Sequence, residues 1–216
     1  MLDSRPLKTP KANVIKIPST YEKFATLAAF EWDILDTSKA RQHSLPLTSL
    51  ASRAIDYLDK SNPANTHDQA VEQLAKYLNT DTLLFFAPSY QGEGKLLALQ
   101  NEQWLPLVKW ATEYLGLPQG VELTKSETEI FSPVQQPEQV SAHAKKWLNS
   151  LDLWTLAAAE RAILASKSFI VGMRLVAESS GEVPEAQILG VDKLADIANL
   201  EVNYQTGQWG EVEDSK

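Results

Sequence analysis

Along most of this chain, apolar residues recur at the three- and four-residue spacing of amphipathic helices, and proline or glycine falls where one run gives way to the next. The pattern predicts helices at roughly 47–59, 66–79, 95–116, 137–150, 152–177 and 184–206, punctuated by Pro63, Pro88, Gly116-Leu117-Pro118, Pro137 and Pro184. The start of the chain reads differently. Ser4 to Lys8 and Asn13 to Ile17 have the composition of short strands, and Thr9-Pro10-Lys11-Ala12 supplies turn chemistry between them, so residues 3–17 are expected to form a β-hairpin. A helix should follow directly, opened after Pro18 by a capping box of Ser19 and Glu22 and carrying Tyr21, Phe24, Ala25, Ala28, Trp32 and Leu35 on one stripe. The polar stretch Asp36 to Ser44 ends it. Asp81 to Phe86 is a short β-prone run, and Val121 to Phe131 an extended or loop segment. The expected fold is α+β. A small N-terminal α/β layer spans 1–45, and a larger, mainly α orthogonal helical bundle spans 46–216.

Two helices carry more information than the rest. Between Leu151 and Ala177 the polar positions gather along the line Glu160, Lys167, Arg174, and the remaining girth is apolar, which marks a hub packed on most sides by protein. On the last helix, turned at 100° per residue, Glu201 falls inside the apolar arc with Leu194, Ile197 and Tyr204, opposite Asp192, Asp196, Asn199 and Asn203. A carboxylate there needs a partner. Either it forms an internal salt bridge, with Lys167 or Arg174 as candidates, or it faces a partner protein across an apolar groove. Trp32 poses a similar choice between a buried anchor and an interface aromatic. Trp104, Trp110, Trp147 and Trp154 read as core. Trp209, placed after Gly207 and just outside the last helix, stands beside the acidic run Glu211, Glu213 and Asp214, where it could dock a basic partner or pin the terminus.

Charge sharpens the picture. The formal net charge is −8, and no basic footprint for nucleic acid is visible. Residues 178–216 hold nine carboxylates against two lysines, whereas residues 1–23 hold five basic residues against two acidic ones. Opposite ends of this kind can orient a charged protein partner. Cysteine is absent, which excludes disulfides, thiolate metal sites and thiol catalysis. The longest apolar run contains Glu160, Arg161, Lys167 and Arg174, too many charges for a lipid-facing helix. The opening Met1-Leu2-Asp3-Ser4 leads straight into the first strand with no Arg-rich amphipathic segment, so an import signal would lie upstream.

Catalytic patterns are missing. His43, His67 and His143 are isolated, with no metal-ligand spacing. Gly92-Glu93-Gly94-Lys95 lacks the spacing and the hydroxyl residue of a phosphate loop. Ser166, Lys167 and Ser168 are neighbours on a helix, pointing about 100° apart rather than facing each other as a Ser–Lys dyad requires. The expectation is a protein with no cofactor, no metal and no catalytic residue. An enzyme with a site of dispersed carboxylates such as Glu160 and Glu201, or a structural subunit of a larger complex, stays open as an alternative.

Several stretches in order along the chain carry a resemblance: Asp3-Ser4-Arg5-Pro6-Leu7-Lys8-Thr9-Pro10, Glu31-Trp32-Asp33, Leu47-Thr48-Ser49-Leu50 with Ala54-Ile55-Asp56, and Asn101-Glu102-Gln103-Trp104-Leu105-Pro106 running to Trp110. They continue with Ser166-Lys167-Ser168 and the ending Leu200-Glu201, Tyr204-Gln205 and Trp209-Gly210-Glu211-Val212-Glu213-Asp214. Jointly they resemble the assembly chaperones specific for the α subunit of mitochondrial F1-ATPase, the family numbered twelve in the ATP-synthase assembly series, in a fungal-like form. The resemblance implies a matrix protein that covers the surface of the unassembled α subunit and releases it to the β subunit; the expected form is a monomer. It also implies that function depends on Trp32 and Glu201, and on the Trp209 to Asp214 segment with Glu211 and Glu213. Members of that family begin with further strands and continue past the Glu-Asp ending, so the N-terminal layer is expected to be incomplete and the tail trimmed.

Overall fold

The computed structural model describes residues 5–35, 44–58, 67–126 and 133–210. The linker bearing His43, the tail residues Glu211, Glu213 and Asp214, and the far end of the 121–131 segment lie outside them. Nine α-helices occur among the described residues: α1 (Glu22–Asp33), α2 (Pro46–Asp56), α3 (His67–Lys76), α4 (Lys95–Tyr114), α5 (Glu138–Ser150), α6 (Leu153–Ser166), α7 (Phe169–Ser179), α8 (Gly190–Ala198) and α9 (Leu200–Trp209). The chain divides into two compact units, one of residues 1–70 and 151–158, the other of residues 71–150 and 159–216.

In the first unit the expected α/β layer does not form. The described residues contain no strand; Lys8 and Val14 form an isolated antiparallel bridge, and the fold is mainly helical rather than α+β. Chemistry explains the correction. Pro6, Pro10 and Pro18 have no N–H to give to a ladder. A few backbone bonds remain, from Thr9 N–H to Asn13 O at 2.8 Å, Ala12 N–H to Thr9 O at 2.8 Å and Ile15 N–H to Leu7 O at 2.9 Å, and side chains add to them. Thr9 Oγ1 accepts the N–H groups of Lys11 and Asn13 at 3.2 Å each, then donates to Asp56 Oδ1 at 2.7 Å, where Asn13 Nδ2 also donates at 2.9 Å. A buried carboxylate on α2 thus fastens the two extended arms without a sheet. The first helix differs at its start as well. Ser19 lies in a 3₁₀ turn (Ser19–Tyr21), and neither that turn nor α1 has a side-chain cap.

The second unit is a helical bundle, and its hub is broken where one continuous helix is expected. Lys167 takes a left-handed φ of 53°, and Ser168 caps a new helix by accepting the Val171 N–H at 3.1 Å. The cause is Asp81, fully buried, whose carboxylate accepts the N–H groups of Leu83 at 3.0 Å and Ile170 at 2.9 Å. One side chain therefore opens both α7 and the 3₁₀ turn Thr82–Leu84, which replaces the β-prone run expected there. Phe85 retains only an isolated parallel bridge to Ser126. Residues Phe169 to Arg174 are all buried, and α7 approaches α6 so closely that a Cβ on Gly172 would lie 2.4 Å from Ile163 Cγ1. Trp104 is completely buried on α4 and donates from Nε1 to Ile197 O at 2.8 Å. The last predicted helix is also divided, into α8 and α9 about Asn199, and α9 runs through Gly207 so that Trp209 is its final residue.

Candidate interaction sites

In the first unit, α1 presents two different apolar faces. The expected stripe points inward: Ala28 is buried, and Tyr21, Phe24, Ala25 and Trp32 are half-buried. Trp154 closes one end of it, its ring 5.3 Å from Tyr21 and edge-on at 5.6 Å to Phe24. There Tyr21 Oη donates to Asp152 at 3.1 Å, and burial followed by this carboxylate raises the phenol pKa above its ordinary value. The second face was not anticipated. Leu27, Phe30 and Ile34 are 56%, 56% and 66% exposed and lie three and four residues apart, hence along one line of the helix. The signal was in the sequence as a second periodic stripe on the same helix, overlooked because the first already accounts for packing.

Trp32 sits at the junction of α1 and α2. Its Nε1 donates to Thr48 Oγ1 at 2.9 Å, and that hydroxyl donates onward to Glu31 Oε2 at 2.9 Å. Glu31 also accepts the backbone N–H groups of Leu47 at 2.6 Å and Thr48 at 2.9 Å, filling orphan donors of the first turn of α2 with a negative charge where the helix dipole favours one. The Trp32 ring lines an open apolar cleft of about 360 Å³ with Leu7, Ile15, Ile17, Ala25 and Ala29. It is both a structural anchor and a wall of a groove.

In the second unit, Glu201 is half-buried on α9 and accepts from Gln205 Nε2 at 3.0 Å. Among the described residues no salt bridge joins it to Lys167 or Arg174, and Arg174 is committed elsewhere. Its Nε donates to Glu178 Oε1 at 2.8 Å, with both side chains buried, and its guanidinium lies 4.7 Å from the centre of the Trp110 ring. Arg174 further donates to Gln187 O, while Glu178 accepts the N–H groups of Leu189 at 3.1 Å and Gly190 at 3.0 Å. Burial pulls the Glu178 carboxyl upward, but Arg174 and these two N–H groups outweigh it and hold the pKa below its ordinary value. Trp110 stacks on Tyr114 at 4.7 Å, and Tyr114 Oη donates to Glu182 at 2.7 Å; burial, then Glu182, pushes this phenol up to about 12. This clasp fixes the 187–190 backbone. The sequence marked Arg174 as a candidate partner of Glu201; its partner in the structure is Glu178, one turn on along α7.

The patterns set aside as chemistry have structural uses. Ser166 Oγ bonds to Ala162 O at 2.8 Å, and the Ser168 hydroxyl is the cap of α7. Lys95 pairs with exposed Glu93 at 2.7 Å. Among the described residues no group of three His, Cys, Asp or Glu side chains could hold a metal ion, and no helix is long and apolar enough to cross a membrane.

Residues 1–112 match the family described as ATP12 chaperone protein. The chain belongs to the ATP12 chaperone family. It is 37% identical over 214 residues to the mitochondrial protein atp12 of Schizosaccharomyces pombe, covering 99% of this chain and 69% of that protein. It is 35% identical over 231 residues to the mitochondrial protein ATP12 of Saccharomyces cerevisiae, covering 99% and 71%. Among solved structures, that of Atp12 from Paracoccus denitrificans superposes with a TM-score of 0.72 at 27% identity, over all of this chain and 81% of that one.

Proposed function

We propose that this chain binds the unassembled α subunit of F1-ATPase in the mitochondrial matrix and promotes assembly of the F1 sector. The observation that carries the reading is the exposed stripe Leu27, Phe30 and Ile34 on a helix already packed by its other face. Three large apolar side chains cost free energy in water, and a helix needs only one stripe to pack. A polypeptide with apolar surface of its own, such as a subunit awaiting its neighbour, would cover them. Holding that surface disfavours aggregation by mass action, with no nucleotide hydrolysis, and release follows when the β subunit binds the same surface more tightly.

Trp32 supports this reading as a cleft wall and Glu201 as a half-buried carboxylate with no cation paired to it in the described contacts. Trp209 beside Glu211, Glu213 and Asp214 gives the C-terminal sequence an aromatic and acidic character that suits a basic client. The reading takes the active form as a monomer. An enzymatic alternative has no specific observation behind it: the strongly perturbed buried carboxylate, Asp81, spends its oxygens on backbone N–H groups.

The test is aggregation of isolated α subunit, followed by light scattering. An equimolar amount of this chain should suppress it. Leu27→Ser with Phe30→Ser should abolish the protection while leaving the melting temperature within about 2 °C, as surface changes do. Glu201→Lys should also abolish binding. Unchanged scattering with the unaltered chain would refute the proposal, and stable retention in finished ATP synthase would make the chain a structural subunit instead.

A further inference from the structure

A second exposed apolar patch lies in the other unit, where the Arg174–Glu178 clasp ends. Ile188 and Leu189 are exposed on the clamped loop, and Val191, 69% exposed, follows on the first turn of α8. Their backbone is not free to fold the side chains inward. Gln187 O, Leu189 N–H and Gly190 N–H are all held by a buried ion pair, and Gly190 has a left-handed φ of 77° that an ordinary residue rarely takes. A buried ion pair contributes little net stability. Here its geometric consequence is the rigid display of three apolar side chains.

The border of the patch is acidic. On α8, Leu194, Ile197 and Ala198 are buried, so at 100° per residue Val191 and Ala195 form one exposed flank and Asp192 and Asp196 the stripe next to it. Glu182 and Glu185 are exposed just before the loop. On α8 the one cation, Lys193, lies on the far flank, with its Nζ 3.4 Å from Gln103 Oε1, and Arg174 beneath the loop is paired with Glu178. An anionic or neutral apolar partner would meet uncompensated carboxylates, whereas lysine or arginine would meet them favourably.

We propose that the 188–191 loop and the exposed flank of α8 dock a client segment in which apolar residues are bordered by lysine or arginine. The inference rests on the client-holding reading and adds to it a surface and a sequence preference. The one-turn spacing of Asp192 and Asp196, about 6 Å along the helix, matches basic residues four apart on a helix or two apart on a strand.

Fluorescence anisotropy on the full chain tests it with two labelled peptides of equal length, one of leucine and lysine, the other with glutamate in place of each lysine. The lysine peptide should bind and the glutamate peptide should not. Ile188→Ser with Val191→Ser, and separately Asp192→Lys with Asp196→Lys, should each weaken the lysine peptide at least about tenfold, roughly 1.4 kcal/mol. Unfolding curves of both variants should overlay the parent, since every altered side chain is exposed. Equal binding of the two peptides, or variants that bind as well as the parent, would overturn the inference. Isolated α subunit is then added as competitor. If it binds the chain but neither displaces the peptide nor responds to the α8 substitutions, the surface is wrong and the chaperone reading stands. If the peptides behave as expected and α subunit does not bind at all, the surface stands and the client assignment falls.

Discussion

Asp81 shows how one residue can redirect a helix without any trace in the hydrophobic pattern. Its burial outweighs hydrogen bonds from Ile170, Ser168, Leu83 and Phe169 and pushes the carboxyl up to about 6. The unfolded carboxyl titrates near its ordinary value of 3.8, so between these two values the folded state binds the proton more tightly. Unfolding free energy contributed by this group therefore falls as pH rises from about 4 to about 6 and is level above that, by an amount on the order of 3 kcal/mol. In urea titrations, the stability of the parent relative to Asp81→Asn should decline across that window. A difference that instead grows with pH would mean the hydrogen bonds win over burial. Trp32 makes the opposite point, because its position on a stripe was readable but its environment was not. A fully buried tryptophan would cost about 3–5 kcal/mol on truncation. Trp32 is only half-buried, so Trp32→Ala should cost about 2 kcal/mol, with about 1 of that already lost in Trp32→Phe, which removes the bond to Thr48. Equal stability of Trp32→Phe and the parent would show that the indole N–H is solvated at no cost.

Helix existence followed from periodicity, and helix breaks did not. The regular runs giving α2 to α5 lie within a few residues of their expected bounds because proline and glycine delimit them. The breaks at Lys167 and Asn199 depend on contacts far away in sequence, such as Ile170 to Asp81, which no local window contains. The hairpin failed for a related reason: alternation and turn residues were present, but the arms share only a short backbone pairing, fastened by Thr9, Asn13 and Asp56, and no ladder extends from it. Several stretches that carried the family resemblance turn out to clasp each other, Glu31 and Trp32 with Thr48, and Thr9 with Asp56. Of the candidate site, Glu201 was legible as an oddity of register and Trp32 as a member of the packing stripe. The Leu27 stripe and the Arg174 clasp needed coordinates to tell exposed from buried. The tight crossing of α6 and α7 yields a prediction at this scale. Gly172→Ala improves helix propensity by about 1 kcal/mol but forces a methyl to within 2.4 Å of Ile163 Cγ1 and 3.0 Å of Ile163 N. Backbone cannot give way as a side-chain tip can, so overpacking of about 1–3 kcal/mol should win and lower the melting temperature. A higher melting temperature would show that the helices separate freely.

At the scale of the molecule, the distribution of charge matters more than its total. The formal net charge is −8, yet the first 23 residues are net basic and the last 39 carry nine carboxylates. Fields of this kind change how often a partner arrives correctly oriented more than how firmly it stays, since exposed charges at a rim are screened once apolar surface is buried. The association rate of this chain with isolated α subunit should accordingly fall about tenfold between 0.05 and 0.5 M salt, while the dissociation rate changes far less. Substituting Leu27 and Phe30 by serine should do the reverse, raising dissociation and leaving the salt slope intact. Stopped-flow fluorescence separates the two. If salt instead accelerates dissociation and leaves association flat, the carboxylates act as buried contacts inside the complex, and the acidic end belongs to the bound interface rather than to the approach.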